Sequence, residues 1–213
     1  MSKNKITIFH VILIIFSISI SQVAPRPDKY TKSYCLVKPY KHDDEFMYAS
    51  RHTDPNHNND RLIYINTPSL SNTLGMDSLK WIFEPVEWIN DNSSYYIRNA
   101  KYNDEWLCTS HNRNDMFKTK RLVHLKNLNR ESLITNKNCI WKLDELERGT
   151  SKFNVWNLNY YEPLYITSLF IPLNTRGKNI YTYYKPPDSN QFVWYIYCSK
   201  AYSFKWKKSQ QFY

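Results

Sequence analysis

Beyond residue 33 the chain is a succession of short runs rich in Tyr, Ile, Val, Trp and Phe, broken by clusters of Asn, Asp, Ser and Pro. Runs of this kind are strand signals, and the clusters between them are turn signals. No segment there shows a helical apolar period of comparable strength, so the pattern predicts an all-β domain. The pattern also repeats. Residues 95–110 read YYIRNAKYNDEWLCTS. They align without a gap with CLVKPYKHDDEFMYAS, 60 positions earlier, and with FNVWNLNYYEPLYITS, 58 positions later. In that alignment Val37, Ile97 and Val155 coincide, as do Phe46, Trp106 and Leu164, then Met47, Leu107 and Tyr165, and finally Ser50, Ser110 and Ser168. Asn99 and Asn157 share a position that Pro39 fills in the first copy.

Later in each unit, Arg61-Leu62-Ile63-Tyr64-Ile65 is echoed by Arg121-Leu122-Val123-His124-Leu125 and, more weakly, by Ile180-Tyr181-Thr182-Tyr183. Each unit then closes on a tryptophan: Trp81, Trp141 and Trp194. Three units, at about 34–90, 94–150 and 152–198, each with about four strands, lead to the expectation of a β-trefoil. In that fold six strands close a barrel and three hairpins cap it, with the matched apolar residues as core layers. The fold would bring Cys35, at the start of the first strand, opposite Cys198, at the end of the last. A link there closes most of the domain and is worth on the order of 4–5 kcal/mol. Cys108 and Cys139, matched by Tyr48 and Ile166 and by Leu79 and Phe192, are left to pair inside the second unit. An even cysteine count and no Cys-x-x-Cys spacing favour disulfides over zinc.

The N-terminus has a different character. Lys3 and Lys5 precede an almost wholly apolar run, residues 6–20, with the small residues Ser19 and Ser21 at the −3 and −1 positions of a cleavage site and then a Pro-containing polar stretch. This reads as a signal peptide, residues 1–21, cleaved before Gln22. The run is short for a bilayer span of about 20 residues. The expected organisation is therefore a leader at 1–21, an extension at 22–33, the domain at 34–198 and a tail at 199–213, secreted and monomeric. The chain has 213 residues, with 29 Lys plus Arg against 19 Asp plus Glu, a net +10. Apolar residues make up 42 %, which excludes wholesale disorder. Only three residues are glycine, which leaves no Rossmann fingerprint and no P-loop.

The three closing tryptophans resemble those of ricin-B-type lectin trefoils. Their Gln-x-Trp endings are replaced here by Leu79-Lys80-Trp81, Cys139-Ile140-Trp141 and Phe192-Val193-Trp194. Residues 96–107 and 157–165 are similar to small secreted trefoil proteins of blood-feeding flies, the Cys/Trp-rich salivary proteins of mosquitoes and the erythema-inducing protein of black flies. The resemblance spans residues 34–198 and rests on core and turn residues. It implies a salivary effector acting on host haemostasis, vessels or immunity.

Catalytic signatures are absent from the sequence, and neither an enzyme nor a cofactor is expected. His42, His52, His57, His111 and His124 belong to no known ligand spacing. His52 and His57 fall in an Asp/Asn/Pro loop that reads as solvated. His124, matched by Tyr64 and Thr182, reads as structural. The acids Asp43-Asp44-Glu45, Asp104-Glu105 and Glu162 recur at one turn of each unit, where such side chains hydrogen-bond backbone. Lectin trefoils place ligand contacts near these turns, which makes Asp44, Asp104, Tyr102 and Tyr160 candidate glycan contacts. In the tail, Lys200, Lys205, Trp206, Lys207 and Lys208 are candidates for binding anions, either a sulfated glycan or an anionic membrane surface. Nucleic acid is not an expected partner of a secreted protein. Asn92-Ser93-Ser94 is a glycosylation sequon. The expected function is non-enzymatic binding of an extracellular protein, glycan or small mediator. The alternatives are a lectin or heparin-binding module using the tail, and a protease inhibitor presenting residues 66–78 or 127–138.

Overall fold

A computed structural model describes residues 33–40, 42, 44–67, 75–113, 118–170, 178–184 and 190–200. The leader, residues 22–32 of the extension and residues 201–213 of the tail, with Lys205, Trp206, Lys207 and Lys208, lie outside the described residues. The described chain is all-β. Its strands are β1 (Ser33–Pro39), β2 (Phe46–Asp54), β3 (Asp60–Asn66), β4 (Trp81–Pro85), β5 (Ser94–Asn99), β6 (Glu105–Thr109), β7 (Lys120–Asn127), β8 (Ile140–Glu147), β9 (Lys152–Asn157), β10 (Glu162–Phe170), β11 (Lys178–Tyr183) and β12 (Val193–Lys200). One helix, α1 (Arg130–Thr135), lies between β7 and β8, N-capped by the Asn129 side chain, which accepts from the Ser132 amide. Among the described residues no helix is long and apolar enough to cross a membrane.

The trefoil expectation does not hold. All twelve strands hydrogen-bond in one sheet, and ten of them close a barrel in the order β10-β11-β3-β7-β6-β5-β4-β1-β12-β9. The β9–β10 pairing, Glu162 with Asn157 and Pro163 with Trp156, completes the ring. The physical reason lies in the hairpin strands. β3, β7 and β11 pair with one another, through Arg61 with Leu125, Tyr181 with Leu122 and Lys178 with Ile65. They carry the hydrogen-bond ladder into the ring instead of capping a barrel of six.

Alternation along the strands decides which side chains reach the interior. In β5, Tyr95 and Ile97 enter the central core while Tyr96 packs on the opposite face. In β12, Trp194 and Ile196 point inward and Tyr197 is exposed. Trp81, Trp141 and Trp194 all lie in the central core with no exposed surface. Each indole donates Nε1–H to a backbone carbonyl of its own unit: Trp81 to Met47 at 3.0 Å, Trp141 to Leu107 at 2.7 Å, and Trp194 to Leu164 at 3.0 Å.

These bonds reset the repeat alignment by one residue. Leu164, not Tyr165, is the counterpart of Met47 and Leu107. The cause is a turn of residues 158–161 between β9 and β10, one residue shorter than 100–104 between β5 and β6. Tyr161 closes it with a left-handed φ of 52°, and its amide reaches Asn157 O at 2.9 Å. Left-handed backbone is rare for so bulky a residue.

Cys35 is bonded to Cys198 and Cys108 to Cys139. The first pair sits at matched positions of the β1–β12 ladder and ties the two ends of the described domain together.

Replacing Trp141 by Phe removes the indole donor and strands the buried Leu107 carbonyl. Such a loss costs about 1–3 kcal/mol. We expect Trp81→Phe, Trp141→Phe and Trp194→Phe to lower stability by similar amounts within that range, as read from urea unfolding.

Candidate functional site

The recurrent acids do more than shape turns. Each reaches back to a cation in the preceding unit, taken cyclically. Glu105 binds Arg61 in a two-point pair, Nε to Oε2 at 2.6 Å and Nη2 to Oε1 at 2.8 Å. The Arg61 Nη1 donates to the carbonyls of Ser50 and Arg51. Burial opposes the Arg61 charge, but the Glu105 bond and charge outweigh it and push the pKa up. Glu162, almost fully buried, takes Arg121 Nε at 3.1 Å and the Thr182 hydroxyl at 2.7 Å. Glu45 takes Lys178 Nζ at 2.7 and 2.8 Å, with His42 beside both.

The candidate glycan residues fall around these pairs. The Arg61 guanidinium lies 3.5 Å from the Tyr102 ring centre and that of Arg121 lies 3.8 Å from Tyr160, so a guanidinium covers one face of each ring. Asp44 and Asp104 are exposed in the turns beside them. Tyr102 and Asp104 share the turn of the second unit, while Asp44 and Tyr160 belong to the turns of the first and third units. Asn92 is exposed between β4 and β5. Next to it, burial raises the Asp91 carboxyl, but hydrogen bonds from Ser93 and Ser94 prevail and hold it below its usual range. Lys200 ends β12. Of the candidate inhibitory loops, 127–138 is folded around α1 with Leu133 fully buried, and 68–74 lies outside the described residues.

A cavity of about 270 Å³ opens where the first unit meets the second. Its origin is a break in the repeat. In the β2–β3 and β10–β11 hairpins the cross-strand partners are Tyr48 with Tyr64 and Tyr165 with Tyr181, and Leu79 or Phe192 completes each cluster. At the matching positions of the second unit stand Cys108, opposite His124, and Cys139. The counterparts of Cys108 and His124 in the third unit are thus Tyr165 and Tyr181, one residue before the Ile166 and Thr182 of the ungapped alignment. Two phenol rings are replaced by a disulfide and an imidazole, and space is left.

His124 is 5 % exposed and its Nε2 lies 3.0 Å from the carboxylate of Asp60, on the first unit's β3. Its Nδ1 is buried without a hydrogen-bond partner. At the next junction the position of Asp60 is taken by Lys120, whose ammonium lies 5.0 to 5.9 Å from the rings of Tyr165, Tyr181 and Tyr183. Burial among those rings lowers the Lys120 pKa.

The walls of the cavity are braced. Asp54 accepts from the Asn56 amide at 2.9 Å and binds His57 Nδ1 at 2.7 Å. Asn58 and Asn59 adopt left-handed φ of 54° and 58°, a conformation asparagine tolerates well. His111 Nδ1 meets the Tyr160 hydroxyl at 3.0 Å. Asn138 is held by the side chains of Asn157 and Asn159. From sequence alone His57 reads as solvated and His124 as structural. The signal for the cavity is three small or polar residues, Cys108, His124 and Cys139, at positions that hold larger side chains in both other units. Among the described residues no three His, Cys, Asp or Glu side chains are grouped to hold a metal ion.

No protein-family model and no curated protein matches the sequence. Solved structures share the fold at low identity. A Culex quinquefasciatus salivary protein of the Cysteine and Tryptophan-Rich family superimposes with a TM-score of 0.54 at 19 % identity, covering 80 % of this chain and 96 % of its own. A Polyporus squamosus lectin, bound to a sialylated glycan epitope, gives 0.53 at 11 % identity, over 78 % of this chain and 48 % of its own. The designed threefold-symmetric protein ThreeFoil gives 0.54 at 13 % identity, over 78 % and 97 %.

Two outcomes follow from this geometry. Removing one partner of a buried ion pair costs about 3–5 kcal/mol. Glu162→Gln is therefore expected to destabilise more than Glu105→Gln, whose side chain is 15 % exposed against 1 % for Glu162; thermal melts at neutral pH rank the two. Burial, with Tyr48, Asp54 and Tyr181 adding to it, pushes the Tyr64 phenol up to about 12 from 10.0. Because the folded pKa is raised, the stabilisation is intact below pH 10 and is lost as pH climbs towards 12. Up to about 2–3 kcal/mol should disappear over that window. Chemical denaturation across it should show a shallower decline in Tyr64→Phe.

Proposed function

We propose that the protein is a secreted, non-enzymatic binding protein that takes its ligand at the junction of the first and second units. The observation that carries this reading is the cavity opened where the repeat departs from its own pattern, with braced polar walls. A preformed concave site with convergent polar groups is the usual form of a ligand site. The Asp60–His124 couple resembles two members of a nucleophilic triad. A nucleophile would have to hydrogen-bond the other ring nitrogen, and Nδ1 has no such partner. This favours binding over catalysis.

Secretion is supported by the leader-like run at 6–20 and by two disulfides, which persist in oxidising compartments. The likeness to a mosquito salivary protein supports a host-directed role.

The test uses Asn112→Trp, an exposed change at the cavity rim. Wild type and variant are compared on glycan and heparin arrays, against plasma and endothelial components, and in a coagulation-protease panel. We expect a ligand bound by the wild type to be lost at least tenfold in the variant, with unchanged melting and no protease inhibition. Equal binding by both, or inhibition by both, would overturn the reading.

A further inference from the structure

Resting on that binding role, we propose that the junction cavity takes a single neutral saccharide ring through its hydroxyls. The donor set is the first argument. The lining holds the side-chain amides of Asn56, Asn58, Asn112, Asn136 and Asn138. Each amide offers both donors and acceptors, the complement of a hydroxyl, which also does both. His57, His111 and His124 contribute imidazoles with the same dual character.

Charge is the second argument. Lys126 and Asp60 are one charge of each sign in the lining, and Asp60 is engaged by His124. The cavity carries no fixed excess that would select an anion or a cation. No Phe, Tyr or Trp side chain belongs to the lining, so a flat apolar ligand finds no apolar platform.

His124 belongs to the same wall, where its bond to Asp60 at 3.0 Å fixes the imidazole across the junction of the two units. Size sets the limit: about 270 Å³ lies just below the range of roughly 300–1,000 Å³ that holds drug-sized ligands, which suits one ring and not an extended chain. The bracing by Asp54, Tyr160, Asn157 and Asn159 fixes the walls before binding, so little ordering cost is left to the ligand.

The experiment is saturation-transfer NMR on the purified protein with the common neutral hexoses and N-acetylhexosamines, alongside glucuronic acid and glucose 6-sulfate. We expect at least one neutral pyranose to receive saturation, with affinity falling at least tenfold in Asn112→Trp. Glucuronate or the sulfate ester binding tenfold more tightly than every neutral sugar would overturn the proposal. So would silence from all neutral sugars; if Asn112→Trp still abolished capture of a ligand on the arrays, the binding role would stand and the saccharide assignment alone would fall.

Discussion

Everything in this fold depends on three buried indoles whose N–H groups must find acceptors inside a barrel. A tryptophan in a core contributes a large apolar surface, but its single donor carries a penalty unless it is paired. Here the pairing is always the same: the tryptophan opening or lying within β4, β8 or β12 reaches the carbonyl of a core residue on β2, β6 or β10. That bond fixes both the depth and the rotation of each unit about the core. It also leaves the inner layer almost no latitude, and differences between the units are pushed outward.

The outward layer is where they appear. Charged pairs hold neighbouring units together in cyclic order, but with different chemistry: a two-point arginine clamp at Glu105, a nearly dry arginine–threonine pocket at Glu162, and a lysine–histidine pair at Glu45. Beyond them, two units close over with tyrosine pairs and the third does not. A junction that must already be rigid to keep the barrel closed is a natural place for a ligand site, because its walls are ordered by folding and not by binding.

Much of this was legible in the residues. Runs such as Tyr95-Tyr96-Ile97, bounded by turn residues, announced strands, and the spacing of Trp81, Trp141 and Trp194 announced packing around one core. Two things were hidden. Hydrophobic pattern tells which face of a strand is buried but not which strand edges meet, so the cross-pairing of β3, β7 and β11 that makes a ring of ten was out of reach. The alignment slip at the 158–161 turn was hidden for a related reason: apolar residues on both sides of it, Leu164 and Tyr165, satisfy the pattern equally well. Only the indole bond to the Leu164 carbonyl distinguishes them. That slip placed Ile166 and Thr182 opposite Cys108 and His124 and concealed the loss of two aromatic rings.

The loss has an energetic side that bears on why such a cavity persists. Burying a large apolar side chain is worth about 1.5–3 kcal/mol, so exchanging rings for smaller groups at two positions forfeits an amount of that order. The Cys108–Cys139 bond spans 31 residues of sequence, and a loop of that length returns on the order of 3–4 kcal/mol by restricting the unfolded chain. The same substitution that removes bulk from the junction thus supplies a covalent constraint of similar size. An apolar void would gain nothing from this arrangement. A polar one, with His124 and Asp60 already desolvated and held at 3.0 Å, gains a set of directional groups whose positions no longer depend on the packing that was given up.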